Sequence, residues 1–111
     1  MKHLITYINQ LTNVERNRAD QEHGPFHSDH EGLAILGEEI WESNIEMSHL
    51  LHNADELRQA VFTDRNDDAH NTALDIKKHA TLMAAEAIQV AAVAQRFIDS
   101  QDAREALEGR D

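Results

Sequence analysis

The stretch Glu38-Glu39-Ile40-Trp41-Glu42-Ser43-Asn44-Ile45-Glu46 combines acidic and apolar residues at helical spacing. At about 100° per residue, Glu38, Glu42 and Glu46 lie along one side of a helix, with Glu39 about 60° away. These carboxylates repel one another because they carry like charges, and they lose hydration because apolar side chains border them. A divalent cation relieves both costs, and Mg²⁺ prefers oxygen ligands. The stretch thus predicts a helix that carries a metal site, although a charged surface helix has the same pattern.

A single carboxylate, Glu86, lies in an apolar segment far downstream. On a helix it lies on the same side as Asp75 and His79 and as most of that segment's large apolar residues, namely Leu82, Met83, Val90, Val93 and Phe97. Buried carboxylates are rare unless they are paired or bind a metal. We therefore expect Glu86 and the acidic stretch to form two halves of one site.

The hydrophobic periodicity predicts an all-α fold, a bundle of about four helices that oligomerisation completes. The chain is expected to form one domain, residues 1–111, in three parts: an N-terminal helix within 1–23, core helices with the acidic site within 28–100, and a frayed polar tail at 101–111.

Local signals place the helix ends. Gly24-Pro25 ends the first helix, and Ser28 three residues before Glu31 has the capping-box spacing that begins the second. A break at 53–55, short turns at 56–62 and a polar loop at 63–68 are predicted before the last helix. That helix is expected to run from about residue 68 to residue 100.

Composition limits the possible functions. A chain of 111 residues has room for one modest core, so the apolar last helix and its alanine stripe predict a homodimer or homotetramer. The net charge of −11 argues against direct binding to nucleic acid. Without cysteine there is no thiol chemistry, and no apolar run approaches the length of a membrane span. We therefore expect a cytoplasmic protein that does not bind membranes.

The order of these motifs resembles the MazG-like family of all-α nucleoside triphosphate pyrophosphohydrolases. That family carries EExxE and, after a variable gap, ExxD. Here the first motif is complete as Glu38-Glu39-Ile40-Trp41-Glu42, and the second is Glu86-Ala87-Ile88-Gln89, with Gln in place of Asp. Two further strings look similar to a short, often phage-encoded branch of the family: Glu15-Arg16-Asn17-Arg18 and Gln89-Val90-Ala91-Ala92-Val93-Ala94. The resemblance covers roughly residues 4–99.

The resemblance implies a hydrolase that acts on the phosphoanhydride bonds of a nucleoside triphosphate, with Mg²⁺ or Mn²⁺ as cofactor. Pyrophosphate and a nucleoside monophosphate would be released, as in house-cleaning of the nucleotide pool. Glu39, Glu42, Glu86 and Gln89 would bind the metal, and Glu38 would act as a further ligand or as the base. Arg16 and Arg18 would contact the substrate's phosphates.

Two other functions compete with this interpretation. Glu46-Met47-Ser48-His49 has the Glu-x-x-His spacing of carboxylate-bridged di-iron bundles, and Asp67-Asp68-Ala69-His70 approximates a second copy. The chain could also be a non-catalytic helical interaction module, a degenerate family member that lost activity when Gln replaced Asp.

Overall fold

The computed structural model describes residues 1–109, and these residues form three α-helices and no strand. The helices are α1 (Lys2–His23), α2 (Asp29–Phe62) and α3 (Asn66–Glu108). The all-α prediction is therefore confirmed, but with three long helices in place of about four. No helix among the described residues is both long and apolar enough to cross a bilayer.

The helix ends near residues 24–31 follow the local chemistry of the sequence. Gly24 closes α1 with φ 71°, a conformation that glycine adopts without strain, and its N–H donates to the Asp20 carbonyl at 2.8 Å. The Ser28 hydroxyl accepts the Glu31 N–H at 3.2 Å, which is one half of the predicted capping box.

Two predicted boundaries differ from the structure. The break at 53–55 is wrong, because α2 continues through it to Phe62. Asn53 is buried there, and Asp55 accepts hydrogen bonds from Arg58 and Gln59 one turn later, so local contacts favour the helix. The last helix also extends beyond Ser100 to Glu108. The final two residues of the predicted tail, 110–111, lie outside the described part of the chain.

The chain folds as two compact units. The first comprises Met1–Ile40 and the chain from Ala87 onward, and its core contains the buried side chains of Phe26, Ala92 and Val93. Ser100 joins helix α3 to this core, because its hydroxyl accepts the Phe26 N–H at 2.9 Å.

The second unit, Trp41–Glu86, is a helical hairpin made by the end of α2 and the start of α3. Its only buried residues are Ala60 and Asn53, and the Asn53 Nδ2 atom has no hydrogen-bond partner within the described chain. Trp41, the chain's single tryptophan, is 64% exposed. The hairpin therefore buries very little apolar surface by itself.

Candidate metal centre

Three of the residues predicted to bind a metal lie close together. Glu39, Glu42 and Glu86 each offer one carboxylate oxygen, and these oxygens lie within 4.8 Å of one another. Glu39 and Glu42 are one turn apart on α2, whereas Glu86 comes from α3. We call these three residues the acidic cluster.

The cluster is partly shielded from water. Glu39 and Glu86 are half-buried, while Glu42 is exposed. Glu38, the predicted base, is exposed and does not belong to this group. The expectation that Glu42 and Glu86 lie close together is confirmed, whereas the role of Glu38 stays a prediction.

The donor set suits a small hard cation. Ligand oxygens of octahedral Mg²⁺ lie about 3 to 4 Å apart, since each metal–oxygen bond is about 2.1 Å. Carboxylates that already lie within 4.8 Å need only small side-chain rotations to reach this spacing. Glu39, Glu42 and Glu86 are therefore the residues that could hold such an ion.

Glu39 also lines a cleft of about 460 Å³ in the first unit. Most of the residues that line this cleft are charged or polar, namely Arg18, His23, Glu31, Glu39, Gln89 and Arg96. Phe26, Ile35 and Val93 add an apolar side. The cleft thus combines side chains of both charges with an apolar side.

Gln89, one turn after Glu86 on α3, is held by a contact with α1. Its amide Nε2 donates to the Glu15 carboxylate at 2.8 Å. Arg18 donates to the same carboxylate oxygen at 2.9 Å. The hydrogen bond from Gln89, followed by that from Arg18, holds the pKa of Glu15 below its usual range.

The two arginines predicted to bind substrate are differently placed. Arg18 lines the cleft, and Glu15 and Glu22 pair with it and raise the pKa of its guanidinium. Arg16 is not among the described lining residues and instead lies 3.9 Å from Asp99. Of the two predicted arginines, only Arg18 therefore lies at the cleft.

Arg96 is a cleft residue that the sequence reasoning missed. It is 5% exposed, and its guanidinium donates to the Asp20 carboxylate and to the Gly24 carbonyl, both at 2.9 Å. The same group lies 4.4 Å from the centre of the Phe26 ring. An arginine in the segment 90–98, where Gln95 is the only other polar residue, was the available signal for this buried contact.

A second polar cluster lies within the hairpin. The His79 Nδ1 atom is 2.8 Å from the Glu46 carboxylate, and the His49 ring stacks on His79 with centroids 4.7 Å apart. Glu46 thus pairs with a histidine of α3, and neither it nor His49 belongs to the group of potential metal ligands. Asp67 and His70 do not join that group either, so among residues 1–109 the two predicted iron-binding patterns are not brought together.

Comparison with known proteins adds no family assignment. No protein-family model matches the chain, and neither a curated protein nor a solved structure matches it.

Proposed function

We propose that the chain is a Mg²⁺- or Mn²⁺-dependent nucleoside triphosphate pyrophosphohydrolase that works in the cytoplasm to clean the nucleotide pool. The observation that carries this proposal is the convergence of Glu39, Glu42 and Glu86 within 4.8 Å. The resemblance to MazG-like enzymes supplies the reaction type, and the adjoining cleft offers room for the substrate.

The proposed reaction consumes one water. Its oxygen bonds to the α-phosphorus, the bond from that phosphorus to the α–β bridging oxygen breaks, and pyrophosphate and a nucleoside monophosphate leave. A cation bound by the acidic cluster would neutralise phosphate oxygens and lower the pKa of a bound water. Glu38 is the proposed acceptor of the water's proton, because it is exposed and lies one helical turn before the cluster residue Glu42, on the same side of α2.

Substrate binding is assigned to the cleft. Arg18 offers a positive charge to phosphate there, although the nucleotide must compete with Glu15 and Glu22 for it. Arg16 is the weaker of the two predicted phosphate contacts, since it does not line the cleft. Gln89 remains a proposed ligand through its amide oxygen, because its amide nitrogen already donates to Glu15.

The proposed enzyme is a homodimer or homotetramer, in which a second copy completes the helical bundle. The support is the number of large apolar side chains left exposed on all three helices, among them Leu4, Leu33, Trp41, Leu51 and Leu82. A small chain with this much exposed apolar surface is expected to associate.

The test is a panel of nucleoside triphosphates with Mg²⁺ or Mn²⁺, in which release of pyrophosphate is measured. We expect at least one nucleotide to be hydrolysed, and a chelator to stop the reaction. Glu42→Gln and Glu86→Gln should lower the rate at least tenfold, since each removes one charged ligand from the cluster. Glu105→Gln removes the same charge from an exposed position elsewhere on α3 and should leave the rate unchanged.

The non-catalytic interaction module is the alternative, and one contact favours it. Gln89, which replaces the family's aspartate, ties α3 to α1 through Glu15 and so has a structural role. Absence of pyrophosphate release across the whole panel, with no stabilisation by Mg²⁺, would support this alternative and refute the enzyme.

A further inference from the structure

The hairpin of the second unit has two different stripes on each of its helices. Positions that alternate by three and four residues lie along one side of a helix. On α2 the inner stripe is half-buried or buried and consists of Ser43, Glu46, Leu50, Asn53, Leu57 and Ala60. On α3 the inner stripe is half-buried and consists of Ala69, Thr72, Ile76, His79, Met83 and Glu86. The contact between Glu46 and His79 joins these two stripes.

An outer stripe follows each inner stripe by one residue, and every member of it is exposed. On α2 it consists of Asn44, Met47, Leu51, Ala54, Arg58 and Val61. On α3 it consists of His70, Ala73, Lys77, Ala80 and Ala84. We call the two outer stripes together the outer face.

Both outer stripes lie on the same side of the hairpin. One residue corresponds to a rotation of about 100° about each helix axis. The two helices run in opposite directions because only residues 63–65 connect them. The same rotation on two antiparallel neighbours points both stripes to one side, with large side chains on α2 and alanines on α3.

The charge of this face sets it apart from the rest of the hairpin. Residues 41–86 include nine acidic residues, yet none of them belongs to the outer face, which instead holds Arg58 and Lys77. For a chain of net charge −11, a face without acidic residues favours self-association, since like charges across an interface are costly.

We propose that the outer face binds the outer face of a second copy of this chain, which forms a four-helix bundle in which α2 of one copy packs on α3 of the other. The two copies are related by a two-fold axis parallel to the helices. This arrangement sets the large residues of α2, such as Met47 and Leu51, against the alanines of the partner, and it makes all neighbouring helices antiparallel.

The size of the face agrees with a stable dimer. Two helices, each about 10 Å wide, over about 30 Å of length give about 600 Å² for each copy. The total of about 1,200 Å² reaches the lower limit of stable protein–protein interfaces. A partner would bury apolar surface that the second unit leaves exposed, because on its own this unit buries only Ala60 and Asn53. The proposal deepens the oligomeric part of the proposed function and does not depend on catalysis or metal binding.

Sedimentation of matched lysine variants tests the face. Leu51 on the outer face is 67% exposed, and Leu82, on the opposite side of α3, is 43% exposed, so either can be replaced without disturbing a core. We expect the unaltered chain and Leu82→Lys to sediment as the same oligomer, and Leu51→Lys to lose mass at unchanged helix content. A monomeric unaltered chain, or equal masses for the two variants, would overturn the proposal.

Disulfide trapping tests the arrangement, because the chain has no cysteine of its own. Asn44 and Ala80 lie at the same level of the hairpin, close to the pair Glu46 and His79, and the two-fold axis brings Asn44 near Ala80 of the partner subunit. A mixture of the single variants Asn44→Cys and Ala80→Cys should form a disulfide-linked dimer on oxidation, while neither variant should do so alone. A covalent dimer of Asn44→Cys alone would contradict the arrangement, since it would place α2 on α2.

Discussion

At the residue scale, Glu15 shows how two donors control one carboxylate. Gln89 and Arg18 both hydrogen-bond it, and the pKa of Glu15 is lowered as a result. A carboxyl whose pKa is lowered by folding stabilises the fold above its unfolded pKa of about 4.3. That contribution is lost as the pH falls through the lower, folded value.

We expect Gln89→Leu to raise the pKa of Glu15, because the amide of Gln89 is the main cause of its low value. Carbon-detected NMR titration of the side-chain carboxyl, in metal-free buffer, measures this change. Gln95→Leu is the control, since Gln95 bonds Asp99 on its own helix and does not reach Glu15. An unchanged midpoint for Glu15 in Gln89→Leu would show that the hydrogen bond does not form in solution.

At the scale of elements, two glycines of α2 differ in how closely other side chains pack against them. A Cβ at Gly32 would lie 2.5 Å from the Phe97 ring and 3.1 Å from the Phe26 ring, whereas a Cβ at Gly37 would meet nothing within 4 Å. At Gly32, α2 therefore lies directly against the Phe97 side chain of α3.

The same substitution should thus have opposite effects at these two glycines. Gly32→Ala is expected to lower the free energy of unfolding by about 1–3 kcal/mol, because the ring of Phe97 must move. Gly37→Ala should raise it by roughly 1 kcal/mol through helix propensity alone. Thermal and urea unfolding followed by circular dichroism measure both, and equal stability of the two variants would contradict the packing at Gly32.

Much of the element pattern could be predicted from local chemistry, as the Gly24 helix end and the Ser28 cap show. The break predicted at Asn53 was wrong because the preference of Asn for turns is weak, and Asn53 is instead buried within a helix that continues to Phe62. Helical angles brought Glu42 and Glu86 onto facing sides, but no periodicity reveals that Gln89 meets Glu15, which is 74 positions away. The buried contacts of Arg96 were hidden for the same reason.

At the scale of the whole molecule, the net charge of −11 makes the chain sensitive to cations. Specific binding of Mg²⁺ at the acidic cluster should stabilise the fold more than general screening of the chain's charge by salt does. At a Mg²⁺ concentration of 100 times Kd, a single site that exists only in the folded chain adds about 2.7 kcal/mol to stability.

Thermal melts can separate these two effects. Mg²⁺ should raise the Tm of the unaltered chain and of Glu105→Gln by more than NaCl at equal ionic strength. Glu42→Gln should lose that additional shift, and without metal it should melt at the same or a higher temperature, since one repelling charge is gone. Equal shifts with Mg²⁺ and NaCl in the unaltered chain would exclude a specific site.

The position of Trp41 gives this chain a built-in optical reporter. The only indole of the sequence is largely in water and is directly followed in the chain by Glu42. The fluorescence of Trp41 depends on the polarity around its indole ring, so its emission reports on one known position of α2. Cation binding and self-association can therefore be followed in the unmodified chain, with no dye and no added aromatic residue.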